Sequence, residues 1–305
     1  MIMKRQLIII AALVLPVFAA SAQMPDTAQV LVHYKFTHVR DTTNRANPYT
    51  ENMALFVGKN TSSYKSYDRQ LENQLFKKQM EEQMHNSADG NIRINRKNTG
   101  SGTEYFQFPG DNKFVRKEPL LVNTYIIDDA MPAIDWHISN DTASFGELHC
   151  QKATCHFKGR DYTAWFCPDL PVHVGPWKLN GLPGVIVEAY DAKKDVVFKF
   201  DRVEKALPVA PKPKQQADDH PGMVMVTIGG GDSDTDPNII QVPAKGIKTT
   251  DKEFEKLRDA MRKNPDAFVQ SMLASMPNNG GPKPDIRIKV GPQPVINNPI
   301  ELPGK

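Results

Sequence analysis

Six residues of the types that bind metals or form thiolates fall between positions 149 and 173. Cysteine and histidine are common ligands of zinc and copper, and a cysteine beside a histidine can become a nucleophile. The spacing contains no Cys-x2-Cys or His-x3-His pair, and alternation along a strand divides the candidates between two faces. We therefore expect no metal and no cofactor. The six residues are His149, Cys150, Cys155, His156, Cys167 and His173.

Catalytic chemistry has little support in the sequence. Cys167 and His173 could form a thiolate pair, but Pro168 follows the cysteine at the end of a predicted strand, a setting that favours a structural role. The chain lacks the Gly-x-Ser-x-Gly elbow, the phosphate-binding loop, the His-Glu-x-x-His pair and the dinucleotide fingerprint. We therefore assign no catalytic residue.

A β-hairpin is predicted in the middle of this region. Residues 147–157 and 161–166 have the composition of strands, and the turn between them spans residues 158–160. Gly159 indicates a turn at this position, because a tight hairpin turn needs positive φ, which glycine adopts without a steric penalty.

The three cysteines favour a disulfide if the chain enters an oxidising compartment. Cys150 and Cys155 point to opposite faces of a regular strand and lie about 16 Å apart, too far to bridge. A two-residue turn at positions 159 and 160 makes Cys150 the diagonal neighbour of Cys167 on one face, whereas a four-residue loop sets the two directly opposite. We predict a Cys150–Cys167 bond with Cys155 left over. A broken first strand would favour Cys150–Cys155 instead.

A run rich in glycine, proline and tryptophan follows the hairpin. Residues 175–186 resemble the signature of the GLPGLI family, a group of exported Bacteroidetes-type proteins, with Val185 where the signature has leucine. The resemblance implies an exported protein and no known reaction. The residues that carry it are Arg160, Trp165, Gly175, Pro176, Trp177, Gly181, Leu182, Pro183 and Gly184.

The signature run favours an architectural role. Pro176 can begin a helical turn, and Pro183-Gly184 fits a tight turn. These features predict a rigid crossover that sets Trp177 under a sheet and leads into a strand at residues 185–190, paired with residues 196–200. A peptide-binding or ligand-binding loop is the alternative interpretation.

The rest of the chain predicts a mainly β (α+β) fold. We expect a curved antiparallel sheet or half-barrel, opening with a strand at residues 30–39 and packed against two helical regions. Residues 70–84 predict the first helix, because their apolar residues follow one stripe at a period of 3.6. That stripe consists of Leu71, Leu75, Phe76, Met80 and Met84.

The second helical region carries explicit start signals. Thr250 and Glu253 fit a capping box, in which each side chain accepts a hydrogen bond from the other residue's backbone N–H. Proline is favoured at the first position of a helix, so Asn264-Pro265 predicts that a further helix begins there.

The N-terminus predicts a cleavable signal peptide. Lys4 and Arg5 precede an apolar stretch at residues 7–20, and Ala20-Ser21-Ala22 provides the small-x-small site expected of signal peptidase. The stretch is shorter than the roughly 20 residues that span a bilayer. We expect cleavage after Ala22, no transmembrane segment in the mature chain, and a periplasmic or secreted location.

Charge and composition limit the function further. The chain carries 38 basic and 35 acidic residues, and removal of the two basic residues of the signal leaves 36 against 35. A nearly neutral chain gives no basic footprint for nucleic acid. We expect one β-rich domain at residues 23–277, a proline-rich excursion near residues 206–219, and a proline-rich tail at residues 278–305.

Two functions from different classes remain. The first is a non-enzymatic exported envelope protein that binds a ligand or a protein partner. The family resemblance implies a setting near a TonB-dependent outer-membrane receptor, and a peptide ligand is the other candidate partner. The second is a secreted, peptidase-like hydrolase without a recognisable local motif. Convergent polar residues in a pocket would favour the hydrolase, whereas an apolar concavity or an exposed sheet edge would favour the binding protein.

Overall fold

A large open sheet dominates the computed structural model, which describes residues 25–86, 100–207, 236–274 and 294–303. The predicted mainly β class is confirmed. The strands are β1 Asp26–Thr27, β2 Val30–His38, β3 Tyr49–Val57, β4 Ser62–Ser66, β5 Glu104–Phe108, β6 Lys113–Leu120, β7 Asn123–Ala130, β8 His137–Phe145, β9 Leu148–Phe157, β10 Arg160–Cys167, β11 Val185–Asp191, β12 Val196–Lys205, β13 Ile239–Ile240 and β14 Ile247–Thr249; the α-helices are α1 Tyr67–Asn86, α2 Asp251–Lys263 and α3 Pro265–Ala274.

The sheet has twelve strands in the order β14-β7-β6-β5-β4-β3-β2-β12-β11-β10-β9-β8. Neighbours are antiparallel except β14, which runs parallel to β7. β14 forms one edge and contributes three residues. β8 forms the other edge, where its pairing with β9 shifts register between Ile138 and Thr142. The short strands β1 and β13 pair with each other in a separate two-stranded sheet.

The start signals of α2 and α3 are confirmed. The Thr250 hydroxyl accepts a hydrogen bond from the Glu253 N–H at 3.2 Å, and the Glu253 carboxylate accepts one from the Thr250 N–H at 3.2 Å. α3 begins at Pro265 as predicted. Phe254 of α2 is buried and lies 5.4 Å from Tyr125 of β7 between ring centroids, which packs this helix on the sheet.

The first helix is also present, but its apolar stripe is not covered throughout. Leu71 and Leu75 are 41% and 61% exposed, so the expectation of a helix packed on the sheet along that stripe is wrong at these positions. The contact with β3 lies at the start of the helix, where the Asp68 carboxylate accepts hydrogen bonds from the Asn52 N–H and side-chain amide, both at 2.9 Å. No helix in the described ranges has the length and hydropathy to cross a membrane.

The main hydrophobic core lies between the half of the sheet that contains β9 to β12 and the loop of residues 168–184, which we call the signature loop. Its largest fully buried side chains include Tyr34, Tyr162, Phe166 and Phe198. β11 and β12 pair as predicted, with Ala189 opposite Phe198. This end of the molecule therefore carries most of the described apolar burial.

Parts of the predicted domain plan lie outside the described residues. These parts are the signal peptide at residues 1–22 and the excursion near residues 206–219, apart from Ala206 and Leu207. Residues 294–303, in the predicted tail, are described and have no regular secondary structure. We call residues 294–302 the C-terminal strap, since they lie across the turn between β9 and β10.

Candidate functional site

The turn between β9 and β10 is tighter than the sequence predicted. Phe157 pairs directly with Arg160, so the turn contains only Lys158 and Gly159, with φ of 50° and 73°. Two successive residues with positive φ fit the right-handed twist of a two-residue hairpin. The prediction that Arg160 belongs to the turn is therefore wrong. Arg160 is the first residue of β10, and its side chain is buried.

Arg160 makes four hydrogen bonds, one to β11 and three that join the hairpin to the C-terminal strap. Its guanidinium donates to the Asp191 carboxylate at 2.7 Å, and this pair is buried on both sides. It also donates to the Asn298 side-chain oxygen at 2.8 Å and to the carbonyls of Pro299 at 2.6 Å and Ile300 at 2.9 Å. The planar fork of an arginine suits this geometry, which a lysine cannot reproduce.

Asn298 is the buried residue of the strap, 7% exposed. Its side-chain amide donates to the Val39 carbonyl at 2.7 Å and to the Asp195 carboxylate at 3.2 Å. Its side-chain oxygen accepts from Arg160, so both polar groups of the side chain are matched. Its backbone carbonyl accepts from His38 Nε2 at 2.8 Å, and a carbonyl can only accept, so Nε2 carries the proton.

Burial controls the charge state of His38. Desolvation lowers its pKa to about 4, and Arg40 and Arg160 act in the same direction, whereas the hydrogen bond to Asn298 and the Asp191 carboxylate raise it. The neutral imidazole is therefore the form that fits the docked strap at neutral pH.

The far end of the strap lies between two lysines. Lys178 of the signature loop donates to the Glu301 carboxylate at 2.5 Å, and Lys158 of the hairpin turn lies 3.2 Å from the same group. The Leu302 N–H donates to the Lys158 carbonyl at 3.0 Å. A β-carbon on Gly159 would lie 2.8 Å from Leu302 Cβ, so this glycine also leaves room for the strap.

The signature loop is held in a different way. Every residue from 174 to 180 is buried. The Gln107 amide of β5 donates towards the carbonyls of Gly175, Trp177 and Leu179 at 3.1 to 3.2 Å, and its oxygen accepts from the Gly175 N–H at 3.3 Å. Gln107 is 1% exposed, so it satisfies buried backbone groups that water cannot reach.

Trp177 lies under the sheet at the centre of the loop. It is 2% exposed and stacks on Phe198, with ring centroids 6.4 Å apart, and meets Phe157 at 5.8 Å. Its φ of 57° is unusual for a bulky residue. Gly184 has a φ of 152°, and a β-carbon there would lie 2.2 Å from the Cys167 carbonyl oxygen. The geometry of the loop therefore supports the architectural interpretation.

The remaining signature residues differ in their environments. Pro176 starts a turn in which its carbonyl accepts from the Leu179 N–H at 3.1 Å, and Leu182 is 1% exposed. Gly181 and Pro183 are exposed. Trp165 is half-buried and meets Phe145 of β8 at 5.8 Å between ring centroids.

The three cysteines are free and buried. The hairpin register pairs Phe166 with Gln151, which sets Cys167 directly opposite Cys150, while Cys155 lies opposite Tyr162. Burial raises the pKa of the Cys150 thiol to about 12, with further contributions from its neighbour Cys167. Burial also raises the pKa of Cys167, the opposite of what a thiolate nucleophile needs.

No metal centre is formed by the described part of the chain: no three His, Cys, Asp or Glu side chains converge there. His156 and Asp161 form an exposed pair at 2.7 Å across the hairpin, and His149 lies 3.8 Å from Asp169. These pairs lie on the surface and do not belong to the polar groups around Arg160.

Comparisons with known proteins identify the same region. A family model described as "Protein of unknown function (Porph_ging)", an uncharacterised Bacteroidetes-type family, matches residues 156–188. The match contains the hairpin turn, β10 and the signature loop. The GLPGLI name remains a resemblance. The chain matches no curated protein.

Two solved structures are similar to part of the chain. They are described as PNGF-II in the P21 and C2 space groups, each with 12% identity. The alignments cover 60% of this chain and 29% of those chains, with TM-scores of 0.41 and 0.40.

The sequence reasoning missed the polar groups that hold the strap. Asn298 bonds to Arg160, His38 and Asp195, which lie far from it in the chain, and none of the four belongs to a recognisable motif. Asp191 offered a weak signal, because it begins the short polar turn before β12. Gln107 offered none, since a single glutamine in a strand is ordinarily a solvent-facing residue.

Proposed function

We propose that this chain is a non-enzymatic exported protein of the bacterial envelope that binds a protein partner. The partner would present an extended segment to the groove around Arg160 that the C-terminal strap fills. The observation that carries this proposal is the set of hydrogen bonds from Arg160 to the Asn298 side chain and to the carbonyls of Pro299 and Ile300. Main-chain hydrogen bonds combined with a side-chain pocket are a general means of recognising extended peptides.

The groove has a definite chemical preference. One pocket takes an amide side chain, because Arg160 donates to the Asn298 side-chain oxygen and Asp195 accepts from its side-chain nitrogen. Three residues later, Lys158 and Lys178 take a carboxylate. A partner segment of the form Asn-Pro-apolar-acidic would therefore satisfy the same groups as the strap does.

The strap is suited to exchange. Asn298 is its buried residue, while Val295 and Ile296 are 65% and 51% exposed. A segment with so little buried apolar surface opens at a low free-energy cost compared with a core strand. A partner segment competes with a tethered one whose effective concentration is in the millimolar range, so it must bind more tightly than the strap does.

A split version of the full chain tests this proposal. A specific protease site inserted after Lys283 allows cleavage of the folded protein, after which the strap is held only by its contacts. A fluorescent peptide of residues 294–305 should then bind by exchange, with saturable fluorescence anisotropy. Arg160→Lys should weaken that binding at least tenfold, which corresponds to about 1.4 kcal/mol.

Two controls make the outcome decisive. Arg202→Lys changes an exposed arginine outside the groove and should leave peptide binding unchanged. A peptide with Asn298→Ala should fail to compete, whereas one with Val295→Ala should compete fully. If the cleaved protein releases the strap only when the whole domain unfolds, the strap is part of the fold and the binding proposal is wrong.

The envelope setting is part of the same proposal. It is supported by the signal-like N-terminus and by the family resemblance, which also suggests a TonB-dependent outer-membrane receptor as the partner. N-terminal sequencing of the exported protein should begin at Gln23. Cross-linking in intact cells should join the receptor to the wild-type chain and less to Arg160→Lys. An unprocessed chain in the cytoplasm would rule out this setting.

A further inference from the structure

Cys150 and Cys167 face each other at the end of the β9–β10 hairpin remote from its turn. The turn-closing pair, Phe157 and Arg160, is the hydrogen-bonded pair of a two-residue turn. Opposite residues along the two strands alternate between hydrogen-bonded and non-hydrogen-bonded pairs. The pair of Cys150 and Cys167 lies seven residues beyond the turn-closing pair, and because seven is odd it is a non-hydrogen-bonded pair. Their Cα atoms are then about 4.5 Å apart, within the range of about 4.4–6.8 Å that a disulfide spans.

The two thiols are also close enough to influence each other. The neighbouring Cys167 is among the causes that raise the pKa of Cys150. Both residues are buried, with 2% and 0% exposure. Their strands have a neighbour on each outer side, since Ala143 of β8 pairs with Cys150 and Val185 of β11 pairs with Cys167.

We propose that Cys150 and Cys167 form a cross-strand disulfide, and that this bond forms while the chain folds and is then sealed inside the sheet. Each thiol loses one proton, and the two sulfurs together lose two electrons as the S–S bond forms. The electrons reduce a disulfide oxidant of the compartment, such as oxidised glutathione or a disulfide-carrying oxidase, to two thiols.

The timing follows from burial. Thiol–disulfide exchange requires a thiolate that can reach the oxidant. In the folded chain both thiols are covered by neighbouring strands, and desolvation opposes their ionisation. In the unfolded or partly folded chain they are exposed and have an ordinary pKa near 8.5, at which exchange is fast. The disulfide is therefore a structural bond and not a surface redox switch.

Cys155 provides an internal control. It is also buried, and it pairs with Tyr162 of β10. Strand alternation turns its thiol away from those of Cys150 and Cys167, so neither can reach it without distortion of the sheet. A mixture of pairings would therefore show that the hairpin does not have this register.

The bond would fix the hairpin at both ends. The turn at Lys158 and Gly159 sets the register at one end, and the disulfide would set it at the other, closing a loop of about 18 residues. A one-residue slip would move Arg160 to the wrong face and break its contacts with Asp191 and the strap. The disulfide would thus protect the geometry of the groove.

Refolding in a glutathione buffer tests the disulfide in purified protein. The result does not depend on export, so it is independent of the function proposed above. Reduced, unfolded full-length chain is diluted into oxidised and reduced glutathione, alkylated, and mapped by non-reducing peptide analysis. We expect a Cys150–Cys167 cross-link and one alkylated thiol at Cys155 after denaturation. The same map should hold for protein isolated from the envelope.

The rate of oxidation provides the second measurement. Folded, reduced protein treated with oxidised glutathione should oxidise at least tenfold more slowly than the same protein in denaturing urea. Reduction of the bond should lower the melting temperature by roughly 5–10 °C in wild-type and in Cys155→Ser. A link that includes Cys155, three free thiols after refolding with oxidant, or oxidation of the folded chain as fast as in urea would each overturn the proposal.

Discussion

The signature loop and the C-terminal strap both cover the hairpin end of the sheet without regular secondary structure, but they are held by different forces. The loop buries seven successive residues, centred on Trp177, and has its carbonyls satisfied by Gln107. The strap buries Asn298, packs the partly buried Ile300 against the main core, and is otherwise held by hydrogen bonds and by ion pairs to Glu301. Buried apolar area is the main stabilisation of the loop, and directional polar contacts are the main stabilisation of the strap.

This difference separates architecture from recognition. Removal of the loop would uncover the main core, so the loop can leave only when the domain unfolds. Removal of the strap would uncover charged and polar groups, chiefly Arg160, Lys178 and Asp195, which water can solvate. We therefore expect the loop to open globally and the strap to open locally.

The largest effect should come from Gly184→Val. The added side chain would meet the Cys167 carbonyl and adopt a φ that L-residues rarely adopt, so we expect a loss of about 2–5 kcal/mol in the free energy of unfolding. Urea denaturation of the purified protein measures it. Gly110→Val, at a position with open space around it, is the control. Equal stability of the two variants would show that the loop is not architectural.

Gln107→Leu should have the next largest effect. Leucine fills the volume but leaves the buried carbonyls of the loop without a donor, which should cost about 2–4 kcal/mol. Gln74→Leu, on an exposed position of α1, should change stability little. Hydrogen exchange should accelerate for the Ile186 amide, which donates to the Val174 carbonyl, together with the rest of the core. Acceleration of the strap alone would contradict this assignment.

Acid should release the strap before it unfolds the loop. The pKa of His38 is about 4 when the strap is docked and about 6.5 in a solvated histidine, so the released state binds the additional proton between these pH values. Docking is therefore fully favoured above pH 6.5 and weakens by up to about 3 kcal/mol as the pH falls to 4. Peptide binding to the split protein, measured across this range, should follow that curve.

His38→Gln provides the matched variant, because its side-chain amide can still donate to the Asn298 carbonyl but has no pKa in this range. Binding to this variant should be nearly independent of pH between 6.5 and 4. If peptide binding to the His38→Gln protein still weakens with falling pH as much as binding to wild-type does, another group causes the pH dependence.

Asn298→Ala should affect the strap alone. The loss of its buried hydrogen bonds should destabilise docking by about 1–2 kcal/mol while leaving the global free energy of unfolding nearly unchanged. The amide of Leu302, which donates to the Lys158 carbonyl, should exchange faster, and that of Gly181 should not. Val295→Ala should have no effect on either amide. Coupled acceleration of both amides would remove the distinction between the two segments.

The smallest effect on stability is expected at a residue outside both the signature loop and the strap. Thr250→Ala removes the cap of α2 and should cost about 0.5–2 kcal/mol in global stability. Peptide binding to the split protein should stay the same, since α2 lies on the far part of the sheet beside β7. A change in peptide binding would show that the groove is coupled to the whole domain.

Local features were the part of the fold that the sequence predicted well. The capping box of Thr250 and Glu253 and the start of α3 at Pro265 are properties of a few adjacent residues, so they could be read directly. The hairpin was also predicted, but its turn was displaced by one residue. A glycine signals a turn without stating which of its two positions it occupies, and that single step moved Arg160 from the turn into a strand.

The candidate site could not be predicted in the same way. Asn298 and Arg160 are 138 residues apart, and their contact depends on how the end of the chain returns to the hairpin. Composition marked residues 278–305 as proline-rich, but a few directional hydrogen bonds leave no periodic trace in a sequence. The stripe on α1 failed for the opposite reason, because its period was correct but Leu71 and Leu75 stay exposed among the residues that the structure describes.

The two edges of the sheet bear on the protein's solubility. An open sheet exposes unpaired peptide groups at its outer strands, which can recruit the same strands of other copies and start aggregation. β14 presents only three residues, and β8 carries a bulge between Ile138 and Thr142 together with the charged side chain of Asp141. Short length at one edge and a bend with a charge at the other both disfavour a continuous intermolecular ladder. Among the described residues, both edges of the twelve-stranded sheet therefore carry features that oppose polymerisation.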